Sequence, residues 1–337
     1  MKPFSTTGIG SLPHTNPDEA CRFVMQCFDV PFWPQLPKIS FRESMVAQYS
    51  EGMPFVRIDN SRQTVTIVRD NSDELERFYE KWTEQTRIAI SSDYAEGLHA
   101  FLKVAKKRRF EFLKAHITGP LTFTLSLNDS AGRLIYFDEE LREIALMILK
   151  SKILWQIDLL QPLTNKIIFF IDEPVFTAIG STAYMGVEEA EVLRLIKEIV
   201  ETIKKAGAIS CIHCCGKADW EMVINSNVDM ISFDAFEYFE TFNIYHHKIN
   251  EFINKGGYIV WGIVPTSDVI KSVDFEQVYD KLEHNIEILS KHIERDLILS
   301  KSLLSPSCGA GSRTLHETIK IGQILIRLKE EMVLKLF

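Results

Sequence analysis

Through its second half the chain alternates short, wholly apolar runs with amphipathic stretches, and few architectures accommodate that rhythm. Ile167-Ile168-Phe169-Phe170-Ile171 holds no polar residue, the pattern of a strand buried on both faces of a parallel sheet. After it Val192, Leu195, Ile196, Ile199, Val200 and Ile203 recur at intervals of three and four, the stripe of a helix lying against such a sheet. Gly207 stands where a left-handed C-cap would end that helix. Strand-like segments follow at 208–212, 229–233 and 258–261, then a helix through Phe275, Val278, Leu282, Ile286 and Leu289. A last strand is expected around Leu303-Leu304, ahead of a C-terminal helix.

The first half is less regular. Segments 4–9, 30–33 and 115–118 read as strands, and a long helix is expected over 138–160 with Asp138 as its N-cap. Segments 55–58 and 64–68, joined through Asn60-Ser61-Arg62-Gln63, read as a β-hairpin inserted between core strands. About eight core strands separated mostly by helices favour an α/β fold of the (β/α)8 TIM-barrel type, with that hairpin in the N-terminal third, over an open doubly wound sheet. No repeat, low-complexity tract or Pro/Gly-rich linker divides the chain, so one domain is expected over 1–337.

Lys+Arg number 38 against 46 Asp+Glu, a net charge of -8, and no basic run extends beyond Lys106-Lys107-Arg108-Arg109. That balance argues against a nucleic-acid or anionic-membrane partner. No stretch approaches the roughly 20 apolar residues of a membrane span. The first residues lack an apolar segment resembling a secretory signal, so the expected location is cytoplasmic. In a reducing compartment the six cysteines read as thiols, metal ligands or catalytic groups rather than a disulfide framework.

In α/β barrels the working residues sit at the C-terminal ends of strands. Ser11, Asp172-Glu173, His213 with Cys215, Asp234 and Cys308 all follow expected strands. Within Cys211-Ile212-His213-Cys214-Cys215, residues two apart share a face of an extended chain, so His213 and Cys215 can aim at one point. Imidazole and thiolate are ligands that Zn2+ favours. Cys308, exposed by the turn of Ser305-Pro306-Ser307-Cys308-Gly309, is a third candidate, and Asp234 a fourth with Glu237 as its alternative. Cysteine is also commonly buried as a small hydrophobe, the reading given to Cys21, Cys27 and Cys211; for the His-x-Cys pair, spacing leaves both open. Asp172, closing an apolar strand, needs a partner if buried, which marks it as a site residue. Gly309-Ala310-Gly311-Ser312 reads as a turn rather than a phosphate cradle, His246-His247 as surface, and His14 and His116 stay ambiguous.

With these residues assembled, the chain resembles the C-terminal catalytic barrel of cobalamin-independent methionine synthase, in the superfamily shared with uroporphyrinogen decarboxylase and the methylcobamide:coenzyme M methyltransferases. Thr6-Thr7-Gly8-Ile9-Gly10-Ser11-Leu12-Pro13 resembles the family's opening Ile-Gly-Ser-hydrophobic-Pro motif, and Ile171-Asp172-Glu173-Pro174 its Ile-Asp-Glu-Pro. His213-Cys214-Cys215 and Cys308-Gly309 resemble its zinc-binding elements, and Ile231-Ser232-Phe233-Asp234 the strand ending in its glutamate ligand. The resemblance implies that Ile9 and Ser11 contact a substrate amino acid and that Asp172 binds the homocysteine ammonium. It implies Zn2+ on His213, Cys215, Cys308 and Asp234, and methyl transfer to a small-molecule thiol, homocysteine first.

Departures from the family shape the expectation further. There is room for one barrel where the full-length synthase has two, Asp234 replaces a glutamate, and Ile39 stands where a second substrate-binding carboxylate is expected. Trp261-Gly262-Ile263-Val264-Pro265 falls where the synthase has a histidine proposed as a proton shuttle. A methyl-corrinoid presented by a partner protein is therefore favoured as donor over a methyl-folate. The alternatives are transfer to another thiol such as coenzyme M, whose sulfonate would favour a cation such as Arg313, and a non-catalytic zinc- or corrinoid-binding accessory protein. Tetrapyrrole decarboxylation needs no zinc and wants a basic pocket, so the ligand set argues against it.

Overall fold

A computed structural model describes residues 1–336. Its strands are β1 (Val56–Asp59), β2 (Thr64–Ile67), β3 (Phe110–Thr118), β4 (Asn128–Asp129), β5 (Thr164–Asp172), β6 (Ile209–Cys214), β7 (Met230–Asp234), β8 (Tyr258–Val264) and β9 (Ser302–Pro306). Six of them form one parallel sheet in the order β3-β5-β6-β7-β8-β9. The remaining three form a separate small sheet: β1 pairs antiparallel with β2 in a four-residue register, and β2 pairs parallel with β4.

The two strands expected at 4–9 and 30–33 do not form regular ladders. Thr6 makes a single parallel bridge to Leu304 on β9, and Phe32 one to Lys114 on β3. Between the two segments the Val30 N–H donates to the Thr6 carbonyl at 3.0 Å. The interruption has a backbone cause: Pro3, Pro31 and Pro34 carry no N–H for a ladder, and Phe4 sits at φ 58.

The all-apolar character of the strands is explained by two separate cores. Ile167, Phe169, Ile171, Ile212, Cys214, Ile231, Phe233, Ile259 and Trp261 share a core with helix residues such as Val192, Leu195 and Ile199. The alternate residues Ile168, Phe170, Cys211, Met230, Val260 and Leu303 form a second core with Ile9 and Val30 that contains no helical residue. One strand face thus packs on helices and the other on the concave inside of the curled sheet.

Helix Glu189–Lys205 buries all six residues of the expected stripe, and Gly207 follows it at φ 80. Helix Glu139–Leu160 opens on Asp138, whose side chain accepts from the Leu141 N–H. Among the described residues no helix is long and apolar enough to cross a membrane.

Candidate metal centre

Strand parity carries polar side chains to the concave face. Asp172 is in phase with Ile168 and Phe170, His213 with Cys211, and Ser232 and Asp234 with Met230. His213, Cys215 and Cys308 then bring one imidazole nitrogen and two sulfurs within 4.8 Å of one another. It is the only such group of three potential ligands among the described residues. Tetrahedral zinc bonded to nitrogen and sulfur spaces its ligand atoms roughly 3.5–3.8 Å apart, and a nitrogen with two sulfurs this close together is a donor set of the kind that ion takes.

Two further observations bear on the fit. The His213 Nε2 is buried without a partner, whereas Nδ1 lies 2.9 Å from the Ser232 hydroxyl. A hydroxyl that accepts from Nδ1–H leaves the Nε2 lone pair free for a metal. The Cys215 thiol is drawn down chiefly by a hydrogen bond from Cys308, with His213 adding to the effect, and Cys308 is pushed up in turn. All six cysteines are free thiols; Cys21, Cys211 and Cys214 are buried, while Cys27, Cys215 and Cys308 are partly exposed.

Asp234 stands outside this group. Its Oδ1 accepts the Phe236 and Glu237 N–H groups at 3.0 and 2.9 Å, so the carboxylate closes the turn after β7. Burial pushes its pKa up to about 6. Glu237 is exposed, and its Oε1 accepts from the Ser267 hydroxyl at 2.9 Å.

A cavity of about 340 Å3 is lined by Ile9, Ser11, Asp172, His213, Cys215 and Cys308, together with Gln35, Glu43, Ser44 and the Gly309–Ser312 turn. Asp172 is buried with its Oδ1 unpartnered. Burial pushes its pKa up to about 6, a rise held back by the Lys114 ammonium and by His213. Lys114, itself fully buried, donates to the Ile9 carbonyl and lies 4.4 Å from the centre of the Phe170 ring. Burial draws its pKa down to about 8. Glu173, next to Asp172 in the motif, points the other way: its carboxylate accepts from the N–H groups of Leu121 and Thr122 and from the Thr122 hydroxyl. A Cβ on Gly119 would sit 2.1 Å from the Glu173 Oε1, which is why that position tolerates no side chain.

The glycine turn after Cys308 wraps Ser11. The Gly311 N–H donates to the Ser11 Oγ at 3.3 Å, and the Ala310 N–H to the Ser11 carbonyl at 2.9 Å. A Cβ on Gly309 would lie 2.1 Å from that Oγ.

No family model matches this chain, and no curated protein matches it. Solved structures do. A B12-independent methionine synthase from Shewanella sp. W3-18-1, in complex with selenomethionine, superposes with a TM-score of 0.63 at 16% identity, covering 99% of this chain and 98% of that one. That likeness shows an α/β fold. The 3-keto-D-glucoside 4-epimerase of E. coli, at TM-score 0.40 and 9% identity, covers 77% of this chain and 93% of its own. A D-psicose 3-epimerase, at TM-score 0.41 and 14% identity, covers 80% and 95%. Such similarity is too slight to bear on chemistry.

Ser232, Lys114 and Gln35 are among the residues at or beside this site that escaped the sequence reading. Ser232 carried a signal, since it shares parity with Asp234 and lies opposite His213 in register. Lys114 did too, as a lone cation in the apolar second half of β3. Gln35 carried none, because its place depends on a contact with Gln48. His14 and His116 are buried but do not line the cavity, and His116 stacks on Trp33 at 3.9 Å between ring centres.

Proposed function

We propose that this chain is a zinc-dependent methyltransferase that moves a methyl group to the sulfur of a small aminothiol, homocysteine first. The observation that carries the reading is a joint one: His213, Cys215 and Cys308 line the same cavity as the unpartnered carboxylate of Asp172. We propose with it that the segments bridged at Thr6 and Phe32 count as the first two strands of a (β/α)8 barrel, in a single domain over 1–337.

Zn2+ held by His213, Cys215 and Cys308 would supply the acidity that keeps an incoming thiol deprotonated at neutral pH. Ser232 engages Nδ1 of the imidazole, which leaves the unpartnered Nε2 as its ligand atom. Asp172 accepts from the substrate ammonium, which gives its buried oxygen the partner it lacks. The Ser11 hydroxyl and the backbone of the Gly309–Ser312 turn hold the carboxylate. A methyl-corrinoid delivered by a partner protein is the proposed donor. The thiolate's electron pair would form the sulfur–methyl bond as the donor–methyl bond breaks, the demethylated donor leaving with that bond's electron pair and the thiol proton passing to solvent.

The cavity lining contains no lysine or arginine, which favours an ammonium-bearing thiol over a sulfonate. Arg313 is engaged elsewhere, donating to the Asp268 carboxylate at 2.8 Å. The test is metal analysis of purified protein together with methylcobalamin demethylation in the presence and absence of homocysteine. Zinc near one per chain and homocysteine-dependent methionine formation are expected, both lost in His213→Ala and Cys308→Ser. Full activity in either variant would sink the proposal, and bound zinc without turnover would favour an accessory protein.

A further inference from the structure

We propose that Gln35 is a substrate-recognition residue whose side-chain carbonyl oxygen accepts a hydrogen bond from the ammonium of the aminothiol. The inference rests on the proposed function and adds a specificity determinant to it. Its basis is a chain of amides anchored at a group whose polarity is not in doubt. The Tyr94 backbone carbonyl can only accept, and the Gln48 Nε2 lies 2.6 Å from it. Gln48 must therefore donate there, which turns its Oε1 toward Gln35. The Gln35 Nε2 donates to that oxygen at 2.8 Å.

A carboxamide has one nitrogen and one oxygen, so fixing the first leaves the second. The Gln35 carbonyl oxygen receives no hydrogen bond from the described residues, and it is not among the buried atoms lacking a partner. Gln35 lines the cavity with Asp172. Its backbone fixes the side chain's origin, because the Gln35 N–H donates to the Gly10 carbonyl at 3.1 Å and the Leu12 N–H to the Gln35 carbonyl at 2.9 Å. Gln48 is completely buried, so the amide chain is held away from competing water.

Two acceptors on one small cavity whose lining holds no lysine or arginine select a donor-rich, positively charged group, with the buried Lys114 behind that lining offsetting part of the Asp172 charge. Asp172 supplies charge, and Gln35 supplies a neutral acceptor of fixed direction. Glu43 lines the cavity but is committed to the backbone: its carboxylate accepts from the N–H groups of Leu36 and Glu96, each at 2.8 Å.

The test compares homocysteine with 4-mercaptobutanoate, the same thiol without its amino group, in wild type, Gln35→Leu and Gln48→Leu. Gln35→Leu is expected to raise KM for homocysteine about tenfold to a hundredfold, the range for a hydrogen bond to a charged group, with kcat nearly unchanged and KM for 4-mercaptobutanoate unmoved. Gln48→Leu leaves Gln35 in place but frees its amide to turn, so discrimination should fall part of the way. Thermal melts establish that each variant is folded. Unchanged discrimination in folded Gln35→Leu or folded Gln48→Leu overturns the inference. Calorimetric titration of the two thiols into zinc-loaded protein without a methyl donor separates the two ideas. Preference for homocysteine that is lost in Gln35→Leu supports the Gln35 role even where no methyl is transferred, an outcome that overturns the methyltransferase reading alone.

Discussion

Replacing Asp172 by Asn should stabilise the ligand-free protein while damaging its chemistry. The carboxylate is buried with one oxygen unpartnered, and burial raises its pKa from an ordinary 3.8 to about 6. Each unit of pKa corresponds to about 1.4 kcal/mol, so keeping the group ionised at neutral pH costs the folded chain about 3 kcal/mol. The attraction of Lys114 is already contained in that balance. The direction follows from the raised pKa: the stability tied to the protonated form is complete below about 3.8 and lost as pH climbs through about 6. Asn mimics the protonated acid at every pH. For a chain of 337 residues the unfolding entropy is roughly 0.7 kcal/mol per degree, which converts the gain to a Tm increase of about 4 °C at pH 7.5. The gap should shrink to about 1.5 °C at pH 4.5. Calorimetry on chelator-treated, reduced protein at both pH values reads it directly, without a metal ion beside the carboxylate. The same variant should raise KM for homocysteine by about tenfold to a hundredfold. A Tm below wild type at pH 7.5, or an equal gap at both pH values, would refute the reasoning.

Ser232→Ala removes the hydroxyl 2.9 Å from the His213 Nδ1 and should weaken zinc by about 10- to 100-fold while leaving the three ligands in place; competition with a chromogenic chelator measures it, and unchanged affinity would show that the serine does not set the tautomer. Glu43 has a pKa pushed up to about 7, chiefly by burial, so its contribution is complete below its ordinary 4.5 and lost as pH rises through about 7. Glu43→Gln should flatten the Tm-versus-pH curve between those values, and parallel curves for variant and wild type would contradict this.

The apolar runs and the helix stripes were legible in sequence because both periodicities are local. Ile167–Ile171 could only be buried on both faces, and Val192 to Ile203 could only be a helix against a sheet. The irregular pairings at Thr6 and Phe32 were not, since prolines and a positive φ at Phe4 interrupt what composition suggests is strand. Strand parity placed His213, Cys215 and Asp172 on one side of the sheet, and the three line one cavity. Asp234, read as a fourth ligand from its position after β7, lies outside the compact group of three and accepts the N–H groups of Phe236 and Glu237 through Oδ1.

By itself, then, the sequence determined which residues face inward, because alternation along a strand is a property of the backbone. Only the tertiary structure decided which inward residues meet. Cys308 reaches His213 and Cys215 through the curl of the sheet. The Gln35 amide takes its direction from Gln48 and Tyr94, which arrive from other parts of the chain. Convergence of distant segments depends on the curl of the whole sheet, a sum over every strand pairing that no local spacing encodes.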